Sequence, residues 1–228
     1  MDFSNYKDNY RETINDAISF IGQDLNFFIE IKADIIIKIS EKYCGNTRKL
    51  DLLDVGCGVG LTDHYLVPKF QAVYGVDSEN ELISKAQSLN KAAIYKVCDG
   101  TFLPFSDNTF NLVFAINVLH HVKPNNWLNF IKELERVTKP NGIIMIFEHN
   151  PFNLLTRYAV KRCAFDADAI LLRKKQTNLL FKAQTLKIVE QYYFLFIPLK
   201  GTFFRKLEYT LKWLPLGAQY FVVGQKTK

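Results

Sequence analysis

The chain reads as an α/β domain built on a mostly parallel sheet. Three observations predict this. β-type runs alternate with helical stretches between residues 49 and 149, the pattern of successive βαβ units. One apolar run ends in an acid and a glycine-rich turn, "LLDVGCGVGL" at residues 52–61. Two further β-type runs lie in the tail, where a mostly parallel sheet commonly takes an antiparallel edge.

The elements follow in order. From Asp24 to Tyr43, apolar residues including Leu25, Phe28, Ile29, Ala33, Ile36 and Ile37 recur at helical spacing and predict a long helix. "KLDLLDV" (49–55) is a short buried strand, and "VGLTDHYLVPK" a helix that Pro68 helps to end. "AVYGVD" (72–77) is the second strand. "SENELISKAQSLN" (78–90) is a helix, with Ser78 and Glu81 spaced as a capping box. "AAIYKVCD" (92–99) and "FNLVFAIN" (110–117) are strands three and four. Residues 125–139 form an amphipathic helix stopped by Pro140 and Gly142, and "GIIMIFEH" (142–149) is strand five. In the tail, 151–163 and 176–183 look helical. Residues 186–198 and 218–226 look like strands, joined by a helical piece around 203–213.

The 228 residues suffice for one full-sized domain, and no Pro/Gly/Ser-rich linker divides them. A hydrophobic content of 48% excludes a disordered chain. The polar, acidic start "MDFSNYKDNYRE" does not resemble a leader peptide, and no apolar run nears the roughly 20 residues of a membrane span. Four cysteines without a CxxC pair fit reduced thiols in a cytoplasmic setting. The four histidines lack ligand spacing, so no metal site is expected. Residues 1–150 carry 15 basic and 19 acidic side chains, whereas 151–228 carry 14 and 4, a local charge of +10. A solvated basic face explains this. An anionic acceptor or peripheral contact with an anionic membrane surface is the functional alternative.

In an open α/β sheet, ligands bind at the carboxyl ends of the strands. At the first tip, Gly56 and Gly58 fit GxGxxG, but position 61 is Leu61 and the extra glycine, Gly60, comes one residue early. Asp54 would repel a pyrophosphate and suits an ammonium, while the backbone N–H groups of the turn favour a carboxylate. Asp77 ends strand two, where an acid can accept both hydroxyls of a ribose. Asp99 ends strand three, where it can accept from an exocyclic amine. An amino-acid end, a ribose and an adenine together describe S-adenosylmethionine. A nicotinamide enzyme is disfavoured by Leu61 and Asp54.

"LLDVGCGVG", "YGVDSENELISKAQ", "VCDGTFLPFSDNTFNLVFAINVLHHV" and "LERVTKPNGIIMIFEHN" resemble the successive motifs of class I S-adenosylmethionine-dependent methyltransferases, over roughly residues 48–150. The resemblance implies a Rossmann-like, seven-stranded, mostly parallel sheet with an antiparallel last strand, helices on both faces and an N-terminal helical lid. It implies one domain over 1–228. Residues 1–47 would be the helical lid segment, 48–150 the cofactor core, and 151–228 the acceptor-side helices and final strands. It puts Asp54, Gly56, Cys57 and Gly58 around the methionine, Asp77 on the ribose and Ser78 beside the adenine. Asp99 and Gly100 reach the adenine edge, and Asn117 lies near the sulfonium. Asn141 stands where many members have glycine, and asparagine tolerates such a turn. "EHNPFNLLTRYAVKRCAFDADAILL" and "WLPLGAQYFVV" resemble a bacterial subgroup of small methyltransferases thought to act on small molecules or sugar-containing acceptors.

The expected reaction is an in-line methyl transfer to a small-molecule acceptor, read as an oxygen nucleophile. His149, at the tip of strand five, is the candidate base, or else a histidine ordering its loop. Glu148 either orients His149, binds the acceptor or caps the next helix. His120 is a further catalytic candidate, and one of His120 and His121 is expected to pack the loop after strand four. His64 reads as a helix-face residue and Cys57 as a small loop filler. Arg157, Lys161 and Arg162 form either an anion-binding edge or a solvated face. Tyr6, Tyr10, Phe27 and Phe28 are candidates for a lid, with core packing favoured for Phe28. A nucleic-acid methyltransferase using the basic tail is the rival, disfavoured because "NVLHHV" stands where amino-methylating DNA enzymes carry (N/D)PP(Y/F). A non-catalytic cofactor-binding scaffold is the other.

Overall fold

The computed structural model describes residues 10–227 apart from 185 and 200, without the side chains of 10, 202, 203, 205 and 206. Seven strands form one sheet: β1 (Asp51–Val55), β2 (Ala72–Asp77), β3 (Ile94–Val97), β4 (Phe110–Ile116), β5 (Thr138–His149), β6 (Lys187–Phe194) and β7 (Gln219–Gln225). Their order is β3-β2-β1-β4-β5-β7-β6. β7 runs antiparallel to both neighbours, and the pairs among β1 to β5 are parallel. The Rossmann-like expectation therefore holds. The tail strands are adjacent, with β7 inserted inside the sheet and β6 at the edge.

Strands covered on both faces should be apolar, and the central stretches 112–115 of β4 and 143–147 of β5 are. Leu52, Leu112, Phe114, Met145 and Phe147 point into a core closed by α2 (Leu25–Cys44), α3 (Leu61–Leu66) and α4 (Asn80–Leu89). Their alternates Leu53, Val113, Ala115, Ile144 and Ile146 meet α5 (Trp127–Val137) and α7 (Lys174–Ala183). α1 (Tyr10–Ile18) meets α6 (Leu154–Arg162) through a bond from Arg162 to the Asp16 carbonyl, and the 3-10 turn that follows α1, Ser19–Ile21, meets α6 through an edge-on contact of Phe20 and Tyr158. α8 (Thr202–Leu211) links β6 to β7.

The capping box on α4 does not form. Its N-cap is Glu79, and Asp77 Oδ1 accepts the Glu79 N–H instead of Ser78 taking the role. β5 starts four residues earlier than the sequence suggests, at Thr138. Its pairing with β4 jumps from Thr138 to Ile143, so Pro140, Asn141 and Gly142 fall in an irregularity rather than a helix stop. Asn141 there has φ of 63°, the left-handed turn conformation expected of it.

Phe147 sits at the centre of the sheet with no exposure and packs against Phe194 and Phe221. Phe147→Ala should lower the unfolding free energy by about 3–5 kcal/mol in urea titrations. Leu154→Ala, at a side chain 73% exposed, should change it by less than about 0.5 kcal/mol.

Candidate functional site

The strand order reverses between β1 and β4, and a cavity of about 780 Å³ opens at the carboxyl tips beside that point. Asp54, Gly56, Cys57, Gly58, Asp77, Ser78, Asp99, Gly100 and Asn117 all line it. The topology brings together every residue expected at the cofactor end.

The glycine turn is backbone-limited. Gly56 has φ of 79°, and a Cβ on it would strike the Val118 side chain at 2.3 Å. Its N–H and that of Cys57 both donate to the Val76 carbonyl. Gly60 caps α3 with φ of 70°, and a Cβ there would meet the Tyr95 hydroxyl at 2.7 Å. Behind the turn, Asn90 donates to the Gly60 carbonyl and to Tyr95, whose hydroxyl donates to Asp63 Oδ2 at 2.8 Å. Asp63, Asn90 and Tyr95 are supports that motif reading missed, because their partners lie about 30 residues away in sequence. Asp77 accepts the Gly58 N–H on one oxygen and the Glu79 N–H on the other, so it ties turn and strand tip together.

Asp54 is buried, and burial with the neighbouring Asp63 and Asp77 charges raises its carboxyl well above the ordinary range. Asp63 is raised too, again mainly by burial. Asp54 Oδ1 and Asn117 Oδ1 are buried with no hydrogen-bond partner among the described residues. Such orphaned acceptors on a cavity wall fit a donor-rich ligand such as an ammonium. Asp99 is exposed, and the Thr101 N–H stabilises its carboxylate and lowers its pKa. Burial drives the Cys57 thiol far upward, which leaves it unreactive, as expected of a loop filler.

The tip of β5 carries the other end. His149 lines the cavity, with Nε2 3.9 Å from Asp166 Oδ2 and Nδ1 3.3 Å from the Gln219 amide. His121 and Asp166 line it as well. Glu148 and His120 do not: both are buried behind the wall. Of the alternatives expected for them, this position fits His120 packing the loop after β4, and it keeps Glu148 from direct contact with a molecule in the cavity. Glu148 faces inward because side chains alternate along a strand, so its neighbour His149 takes the cavity side. Its Oε1 accepts the Leu119 N–H at 2.8 Å and its Oε2 meets His120 Nδ1 at 2.5 Å. His120 Nε2 in turn lies 3.3 Å from Asp166 Oδ1.

Burial alone would lower His120, but the Glu148 and Asp166 carboxylates outweigh it and hold it up at about 10. Burial opposes ionisation of Asp166, yet its histidine neighbours bring it down to about 2. Burial brings His149 down to about 4, against the pull of Asp166. His121 is lowered by burial and by the His120 charge. Lys32 also lines the cavity, lowered to about 8 by burial against the attraction of Glu148 and Asp166.

Asp166 and Lys32 were missed from sequence. Lys32 interrupts the apolar stripe of α2 between Phe28, Ile29 and Ile36, a signal that could have found it. Asp166 and Asp168 are two of only four acids after residue 150. His64 bonds Asn90 and stays off the cavity. Arg157, Lys161 and Arg162 are exposed and do not line it, the solvated-face alternative. Phe28 lines the cavity and packs on the core, whereas Phe27 is wholly core. Tyr6 and the Tyr10 side chain lie outside the described residues.

The strand order is that of a Rossmann-like methyltransferase fold. Within it, residues 53–146 match the profile of the methyltransferase domain family. A protein of Methanocaldococcus jannaschii is 31% identical over 141 residues, 61% of this chain and 58% of that one. Tocopherol O-methyltransferase of Arabidopsis thaliana is 37% identical over 42% of this chain and 29% of its own length. The chain thus spans less than two thirds of these relatives. A S-adenosylmethionine-dependent methyltransferase from Archaeoglobus fulgidus superposes with a TM-score of 0.64 at 15% identity, covering 89% of this chain and 100% of that one.

The buried acid pair behind the turn sets a pH dependence. A carboxyl whose pKa is raised on folding binds its proton more tightly in the folded chain. Its contribution to stability is full below about pH 4, the unfolded value, and is lost as pH rises through about 7. The stability difference between wild type and Asp63→Asn should therefore shift against the wild type between pH 4.5 and 7.5. Melting curves of both proteins across that range check this; parallel curves would show that Asp63 titrates as an ordinary acid.

Proposed function

We propose that this chain transfers a methyl group from S-adenosylmethionine to a small-molecule acceptor, at an oxygen atom, with residues 1–228 acting as one domain. The observation that carries this is the polar wall of His121, His149 and Asp166, set at the β5 side of the cavity, apart from the acids at the tips of β1, β2 and β3. The volume lies in the range of small-molecule sites, about 300–1,000 Å³.

Asp54, Gly56, Cys57 and Gly58 would hold the methionine part, Asp77 the ribose, and Ser78, Asp99 and Gly100 the adenine. Asn117 would lie toward the reacting centre. When bound, the cofactor supplies a methyl group already activated by a positive sulfur. The chain's own residues then do three things. His149 takes up the proton that a hydroxyl acceptor loses, which places the base at the cavity wall. Glu148 and His120 position that wall from behind. Ile14, Ile18 and Phe28 of the N-terminal helices exclude water from one side. An anionic acceptor would meet Lys32 and Lys123, which line the cavity, rather than Arg157 or Lys161.

The relatives' names do not choose the acceptor atom. One is an O-methyltransferase, and norajmaline N-methyltransferase of Rauvolfia serpentina is 34% identical over 46% of this chain and 37% of its own length. The oxygen reading rests on the imidazoles and carboxylate of the wall.

A screen of hydroxylated acceptors for S-adenosylhomocysteine release tests the proposal. With a productive acceptor, His149→Ala should lower kcat by about 10²–10⁴-fold and leave cofactor affinity within about twofold. Asp77→Ala should lose cofactor binding by calorimetry. Unchanged turnover in His149→Ala would remove the base. Binding of NADH without binding of S-adenosylmethionine would remove the whole reading.

A further inference from the structure

The geometry points to a divalent transition-metal site on the acceptor wall, formed by His120, His121 and Asp166. This deepens the proposed acceptor end and rests on it.

Their three donor atoms lie within 4.8 Å of one another. His120 Nε2 and His121 Nε2 approach the same oxygen, Asp166 Oδ1, at 3.3 and 3.5 Å. Two atoms bound about 2.0–2.1 Å from one cation at a tetrahedral angle sit about 3.3–3.4 Å apart. The spacing is therefore that of neighbouring ligands, and it is looser than a short charge-assisted hydrogen bond of about 2.7–2.9 Å. Two imidazoles and one carboxylate suit Zn²⁺, Fe²⁺, Co²⁺ or Mn²⁺, and leave coordination positions open.

The surroundings are those of a metal site. A ligating histidine usually gives its other ring nitrogen to a carboxylate. His120 Nδ1 meets buried Glu148, which fixes the ring with Nε2 toward Asp166. His121 Nδ1 faces Asp168 Oδ1 at 3.8 Å. Three carboxylates, Glu148, Asp166 and Asp168, thus surround two imidazoles, and one buried ammonium, Lys32, lies within electrostatic reach of Glu148 and Asp166. Two of the three ligands, His121 and Asp166, line the cavity, while His120 completes the set from behind the wall. His149 stands beside the cluster, its ring 5.3 Å from that of His120. A cation held here would bind the acceptor oxygen in an open position, next to the group proposed to take its proton.

The sequence hides this arrangement. His120 and His121 are adjacent, and Asp166 follows 45 residues after His121. A 3-10 turn, Leu119–His121, lets neighbouring rings reach one point, and a second, Ala164–Asp166, delivers the acid.

Chelator-stripped full chain should bind one equivalent of Co²⁺, seen by calorimetry and by visible absorption bands that report nitrogen and oxygen ligation. His121→Ala and Asp166→Asn should each lose at least about tenfold in affinity. Glu148→Gln, which only orients His120, should lose about 10–100-fold. No stoichiometric binding of Co²⁺, Zn²⁺ or Mn²⁺, or binding unaltered in His121→Ala, overturns the inference. His121 is partly exposed, so that variant stays informative if Asp166→Asn does not fold. Binding of S-adenosylmethionine to the stripped wild type is measured alongside. If it is retained while metal binding is absent, only the metal site falls; if it is absent, the proposed function falls first.

Discussion

The histidine wall of the cavity hangs from one buried carboxylate. Glu148 has no exposure, and an ion in that position persists only if its lone pairs are filled. It fills them with the Leu119 N–H and the His120 ring. Those two bonds pin the turn after β4 to the end of β5. Asp166 is drawn in by His120, and the segment between α6 and α7 follows it. Glu148 therefore acts as an anchor for three separate stretches of chain. Removing its charge would leave His120 without the partner that fixes its ring.

The glycine-turn end of the cavity was legible in sequence because its pattern is local. The Gly56 and Gly60 conformations, the acid before the turn and the acids after β2 and β3 each fall within a short window. Strand positions were legible for the same reason: the central strands carry short apolar runs such as 112–116 and 143–147. The acceptor end is made of long-range contacts and was read less well. His149 reached the cavity as expected, but Glu148 and His120 turned away from it. A one-residue step along β5 separates the two outcomes, and periodicity alone does not say which side of the tip is open. The wall's remaining members, Asp166 and Lys32, come from segments whose local patterns read as loop and core helix.

The boundaries that shifted have similar causes. The expected stop at Pro140 lies inside β5, because the pairing irregularity between Phe110 and Leu112 absorbs a residue that donates no hydrogen bond. The expected cap at Ser78 lost to Asp77, whose carboxylate is closer to the backbone donors and already bound to the glycine turn. In both places a tertiary bond overrode a sequence pattern that was sound in itself.

The placement of β7 has a bearing on how the molecule matures. His149 pairs with Gln219 and Glu148 with Tyr220, some 70 residues further along the chain. β1 to β5 pair in parallel among themselves within residues 51–149. The reactive wall has no such independence, since its β5 edge stays open until residues 219–225 slot in between β5 and β6. Synthesis would thus complete the parallel pairing of β1 to β5 before the wall beside the tip of β5 is closed.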